Sequence, residues 1–314
     1  MALHWFWVVG WFITLFGFLG NTWIIFIIVK RRRLQTTANW FVLSLAIADL
    51  GVTCGYFPAS FVCNILVHSC NNSIRFNFYS FFIEASTFSM IAMIVERYIA
   101  IVYSLRYVYV MTTAKTITII VASWGVPSVL IFARWAYELY YNEISAQAEF
   151  VIITMYTLLF EIVPTIILIV TTSHILFIAR RVSKQMSVLL TQVRFNVAAN
   201  STRILNAPVK IGLKSSTVKL VVAVVAIFVV CYGTEIYVTF CQAPYNLCAV
   251  PDDVQTFFSL LIMVNSVLNP IVYAFLKQDI KNETRAVFRF GKDSRSHSGS
   301  LRTARSGFYS VITS

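Results

Sequence analysis

Asn265-Ser266-Val267-Leu268-Asn269-Pro270-Ile271-Val272-Tyr273 sets polar side chains and a proline inside a long apolar run. Within a bilayer a proline frees a backbone carbonyl, and every unpaired polar group is costly unless neighbouring helices or water satisfy it. A lone polar residue in such a run is often no more than glue between helices. A string of them around a proline points to a buried polar site.

The rest of the chain supplies the membrane that this reading needs. Its 314 residues are 58% hydrophobic, 15% aromatic and only 12% charged, a balance that does not suit a soluble surface. Apolar runs long enough to cross a hydrocarbon core of roughly 30 Å fall at about 5–29, 39–66, 74–103, 116–136, 149–178, 217–240 and 255–276. The fold class expected is therefore an all-α membrane protein, a seven-transmembrane helix bundle over 1–276. All lysines and arginines except Arg75 and Arg134 collect on one side of these spans. The positive-inside rule then predicts an extracellular N-terminus and a cytosolic C-terminus. The net charge of +12 belongs to a face that meets anionic lipid and protein partners, and no nucleic acid is expected.

The basic residues follow the first apolar run instead of preceding it, so this span reads as a retained anchor and not as a cleaved signal peptide. With about four residues ahead of it, no large ligand-binding domain is expected there. Residues 277–290 alternate Ile280, Ala286, Val287 and Phe290 with Lys281, Arg285 and Arg289, a pattern for a short amphipathic helix on the membrane surface. Residues 291–314 read as a disordered cytosolic tail, where Ser294, Ser296, Ser298, Ser300 and Thr303 are candidate phosphorylation sites and ordinary disorder accounts for the composition equally well.

Glu96-Arg97-Tyr98 ends the third span, Leu45-Ala46-Ile47-Ala48-Asp49 lies in the second, Gly20-Asn21 in the first and Trp124 in the fourth. Taken with the string at 265–273, the chain resembles the class A, rhodopsin-like G-protein-coupled receptors over nearly its whole length. Each motif alone is weak, and the joint match is specific.

The resemblance implies a plasma-membrane receptor, not an enzyme, that passes an extracellular small-molecule or peptide signal to a heterotrimeric G protein. Arrestin, receptor kinases and membrane lipid are the further partners it implies. Asp49, Ser86, Asn265, Ser266 and Asn269 match residues that hold an allosteric sodium ion in the family, and hard oxygen donors suit such an ion. A hydrogen-bonded polar cluster without an ion is the alternative. Glu96, Arg97, Tyr98, Asn269, Pro270 and Tyr273 match the switch that opens the cytosolic face. An ion- or proton-coupled transporter is the rival class, motivated by Asp49 and three further intramembrane acids.

The departures carry information too. Where the family's sixth span reads Cys-Trp-x-Pro, this chain has Cys231-Tyr232-Gly233-Thr234. Lys214 stands where an acidic partner of the third-span arginine is common, and Thr172 replaces a tyrosine eight residues after Pro164. Residues 133–150 contain no cysteine, so the usual link from the third span to the second outer loop cannot form. Cys63, Cys70, Cys241 and Cys248 are the outer cysteines, with three connectivities open. Cys241–Cys248, bracketing a six-residue turn, is preferred, and Cys63–Cys70 is the other local pair. Cys54 and Cys231 read as packing residues. These traits look like the melanocortin branch, with adenosine receptors next. Yet Ala59, Asn72 and Phe76 stand at the melanocortin acidic positions and Thr239 at the adenosine asparagine. Tyr79 stands where amine receptors hold an aspartate, and Met263 where opsins hold a lysine.

Glu84, Glu161 and Glu235 match cavity-lining positions in the third, fifth and sixth spans. Three such carboxylates cannot all ionise cheaply. They read as a site for a basic or polyhydroxylated ligand, as a proton-sharing cluster, or as acids facing different ways. Tyr79, Tyr156, Tyr232, Ser259, Met263 and Phe150 complete the expected ligand-binding set. Asn71-Asn72-Ser73 is a glycosylation sequon on the outer side.

Overall fold

The computed structural model describes residues 3–67, 70–140, 146–200, 215–242 and 248–287. Lys214 and the residues from 288 onward lie outside these, as do the side chains of Asn72, Phe76, Phe150 and Thr239. The helices follow the apolar runs because a chain in hydrocarbon must pair its backbone groups within each segment. They are α1 (Leu3–Lys30), α2 (Thr37–Phe61, passing into a π-helical turn at Val62–Val67), α3 (Asn72–Val102), α4 (Tyr107–Val110) and α5 (Thr113–Tyr140). They continue as α6 (Ala146–Thr157), a π-helical turn at Leu158–Ile162, α7 (Val163–Asn200), α8 (Ser215–Gln242) and α9 (Asp252–Leu276). A last helix, α10, covers 278–287. Among the described residues seven stretches are long and apolar enough to cross a membrane, with the end of α6, the π-turn and most of α7 forming the fifth, Thr154–Leu189.

α7 runs well past residue 178, where the sequence pattern ends the span, and reaches Asn200. The segment from 179 to 200 has neither glycine nor proline to stop it. α2 packs against α1, α3 and α9, and α3 also meets α5 and α7. Trp11, Phe12, Leu15 and Phe16 on α1 are exposed, as are Val129 and Phe132 on α5. Such apolar side chains face hydrocarbon in a membrane. The interior holds Asn21, Asp49, Glu96, Asn265 and Asn269 almost without exposure. The bundle is therefore apolar outside and polar at its centre.

Two local features position that centre. A Cβ at Gly20 would stand 3.0 Å from the Pro270 Cβ, so glycine lets α1 lie close to the proline turn of α9. Asn21 then donates from Nδ2 to the carbonyls of Gly17 and Ser266, at 3.0 and 3.1 Å, and ties the two helices together. On the far side, Trp124 donates to the Ser44 hydroxyl at 2.9 Å, and Ser44 lies 3.0 Å from the Ser89 hydroxyl. These bonds join α2, α3 and α5.

Both local cysteine pairs are formed, Cys63–Cys70 and Cys241–Cys248, each across seven positions. The first links the end of α2 to the approach to α3. Cys231 is buried as the sequence suggests, whereas Cys54 is exposed on the bundle surface and does not serve as a packing residue.

Non-reducing digestion and mass spectrometry should recover two short bridged peptides, 63–70 and 241–248. Replacing either pair with serine should lower the melting temperature, the closure of so short a loop being worth about 2 kcal/mol. Any peptide joining the two pairs would contradict this connectivity.

Candidate functional site

The site is a polar column through the bundle, and its centre is Asp49. This carboxylate has 0% exposure. It accepts from the Ser86 hydroxyl at 2.7 Å on Oδ1 and from Asn269 Nδ2 at 2.8 Å on Oδ2. Ser266 is a third hydrogen-bond partner. α2, α3 and α9 thus converge on one group, and every one of those partners is neutral. The Oδ1 atoms of Asn265 and Asn269 are buried and have no hydrogen-bond partner among the described residues. One acid with surplus buried oxygens is a donor set that fits a small hard cation.

Toward the disulfide end, Glu84 is buried on α3 and its Oε1 accepts from the Tyr156 hydroxyl at 2.6 Å. Glu161 sits in the π-turn at Leu158–Ile162, and the charges of Glu235 and Glu84 both act on it. Glu161 is thus the acid on which the charges of the other two converge. Tyr232 is buried against Phe228, with ring centroids 4.1 Å apart. Met263 is wholly buried with Phe57 and Leu260, in a small apolar cluster where it is packing and not an open wall. Tyr79 meets Tyr56 edge to face at 4.9 Å, and Tyr56 hydrogen-bonds to Ser259. Tyr56 carries no motif, and its place here depends on how α2 packs beside α3.

At the opposite end, Glu96 is fully buried and its two oxygens are shared. Oε2 lies 3.3 Å from Arg97 Nε, and Oε1 accepts from Tyr107 at 2.6 Å. Burial, followed by the Glu96 hydrogen bond and charge, pushes the Tyr107 hydroxyl well above the usual phenol range, so it stays a donor. Tyr98 instead bonds to His174 Nδ1 at 3.0 Å. Tyr273 is buried with its hydroxyl 3.7 Å from Met93 Sδ.

Lys277 is the main surprise of this end. The sequence pattern starts the surface helix at this residue, yet it precedes α10, is 7% exposed and donates to Asn39 Oδ1. Asn39 Nδ2 donates in turn to Asp279 at 2.9 Å, and Lys277 lies 3.9 Å from the same carboxylate. Burial, helped by the nearby Arg97 charge, pulls the Lys277 ammonium down to about 7, against the smaller opposing effects of Asp279 and Glu96. Farther along α10, Ile280 is fully buried, Thr284 bonds to Trp23 at 3.4 Å and Glu283 reaches Arg31 at 3.9 Å. α10 is thereby seated on α1 and α2.

Among the described residues, seven membrane-length helices surround a buried carboxylate, with a glutamate–arginine pair at one end. The family described as "7 transmembrane receptor (rhodopsin family)" matches residues 20–273, and the chain belongs to it. It is a multi-pass G-protein-coupled receptor and not an enzyme, which sets the transporter alternative aside. The chain is 27% identical to a QRFP-like peptide receptor of Branchiostoma floridae over 300 residues, covering 88% of this chain and 75% of the relative. It is 26% identical to melanocortin receptor 4 of Danio rerio, covering 87% and 80%, and 25% identical to melanocortin receptor 3 of Homo sapiens, covering 86% and 80%.

The lowered affinity of Lys277 for its proton has a definite sign for stability. Between about 7 and the ordinary lysine value of 10.5, the unfolded chain binds more protons than the folded one, so stability rises with pH across that window. Thermal melting between pH 7 and 9 should therefore climb in the parent protein, and Lys277→Met should flatten the climb. An equal slope in both would place the titration elsewhere.

Proposed function

We propose that this receptor has its N-terminus outside the cell and answers an extracellular ligand that carries a cationic group, on a peptide or a small molecule. The ligand class rests on Glu84, Glu161 and Glu235, carried by three different spans, with the charges of Glu84 and Glu235 both acting on Glu161. Like carboxylates in low dielectric are relieved by a cation. Tyr156, bonded to Glu84, and the Tyr79–Tyr56–Ser259 group would supply the surrounding walls. The relatives named as peptide and melanocortin receptors support a peptide as the carrier of that cation. The ligand set here is nonetheless its own, since Ala59 stands at one of the acidic positions of the melanocortin branch.

Ligand binding would bias the inner face, where Glu96, Arg97, Tyr98, Asn269, Pro270 and Tyr273 form the switch that a G protein reads. Asp49, Ser86, Asn265, Ser266 and Asn269 would hold a sodium ion, which supplies the positive charge the carboxylate otherwise lacks. The concentration of basic residues at the Arg97 end supports a cytosolic assignment for that end. Arrestin and receptor kinases would act on the serine-rich segment beyond 290, and anionic lipid would meet α10.

Guanine-nucleotide exchange on a panel of purified heterotrimers, with the full chain in lipid nanodiscs, tests the reading. Basic peptides and amines should stimulate exchange and neutral analogues should not. Arg97→Ala should reduce exchange to the level of empty nanodiscs. Glu84→Gln, Glu161→Gln and Glu235→Gln should each weaken the response to a basic ligand by about tenfold or more, the scale of a lost charged hydrogen bond. A ligand indifferent to all three changes would exclude the acidic cavity.

A further inference from the structure

The fifth span is joined to α3 by hydrogen bonds at two heights. In the outer half Tyr156 donates to Glu84 at 2.6 Å. At the inner end the Tyr98 hydroxyl meets His174 Nδ1 at 3.0 Å, with the two rings tilted by 35° and their centroids 5.5 Å apart. Between the two lies the π-turn at Leu158–Ile162, whose Phe160 packs on both Tyr156 and Phe88.

The π-turn fixes how these bonds relate. A π-turn holds one residue more than the α-helical path, and rewinding it to α would turn everything downstream by about 100°, the angle one residue subtends in an α-helix. Tyr156 lies before the turn and His174 after it. With Tyr156 held on Glu84, His174 faces Tyr98 only while the π-turn persists. Conversely, a fifth span that rewinds must give up one bond or the other.

We propose that Tyr156 and His174 are the two ends of one conformational switch, with the π-turn as its spring and His174 as a positioning residue for the G-protein-binding face. A cationic group that draws Glu84 away from Tyr156 releases the outer end. The π-turn then rewinds, His174 leaves Tyr98, and the inner part of α7 rotates away from α3. α8 has no proline inside it, so it lacks a proline kink of its own, which leaves room for the fifth span to take this task. The switch rests on the receptor reading above for its output, but not for its mechanics.

Two readouts on the full chain in nanodiscs separate the two claims. In basal nucleotide exchange at matched protein amounts, Tyr156→Phe, Tyr98→Phe and His174→Phe should each raise the rate about threefold to tenfold, the scale of one lost hydrogen bond. The Tyr156→Phe/His174→Phe double variant should not exceed the larger single effect, because both changes release one switch. His174→Gln, which restores a hydrogen-bonding group, should recover part of the restraint. Parental rates in both His174→Phe and Tyr98→Phe, or a double variant whose effects multiply, would overturn the proposal. Hydrogen–deuterium exchange needs no G protein: Tyr156→Phe should speed exchange of the amides around 170–178 more than that of amides elsewhere in the bundle. Unchanged protection there overturns the switch, whereas silent heterotrimers with altered protection would count against the receptor output alone.

Discussion

A carboxylate buried at the middle of a membrane bundle is the constraint on which the rest of this structure depends. Asp49 draws Ser86 from α3 and Ser266 and Asn269 from α9 to one point, because an unpaired polar group there is costly. That demand fixes the rotation of three helices about their own axes. Asn21 on the Ser266 carbonyl and Trp124 on Ser44 extend the same logic to α1 and α5. The hydrocarbon-facing surface is interchangeable apolar bulk by comparison. What specifies this bundle is its polar interior.

The column has two different ends around that centre. Toward the disulfide end Glu84 is buried and bonded to Tyr156, and Glu161 feels the charges of Glu84 and Glu235. At the Arg97 end the charges are already matched. Glu96 is shared by Arg97 and Tyr107, while Lys277, Asn39 and Asp279 close a second polar knot that seats α10.

The bundle and its centre were legible because hydropathy, charge sidedness and the string from Asn265 to Tyr273 are properties of sequence order alone. Residues three or four apart on one helix share a face, and apolar length fixes a span. Partnerships between helices were not legible in the same way. His174 belongs to no motif, and only the packing of α7 places it opposite Tyr98. Lys277 read as the start of a surface helix until the chain turned it inward beneath Arg97. Met263 and Cys54 exchanged their expected environments, the first packed and the second exposed, since azimuth within a uniformly apolar span leaves no trace in composition. The continuation of α7 to Asn200 shows the same limit: apolar length marks where a helix leaves the membrane, and only a breaker marks where it ends.

The central claim is that Asp49 organises the bundle as a cation-holding charge and not merely as a hydrogen-bond acceptor. The most direct measurement is the melting temperature of the purified receptor in sodium chloride against the same concentration of N-methylglucamine chloride, for the parent and for Asp49→Asn. The account predicts that sodium stabilises the parent and leaves Asp49→Asn unaffected. Equal stabilisation of both proteins, or none in the parent, would contradict it.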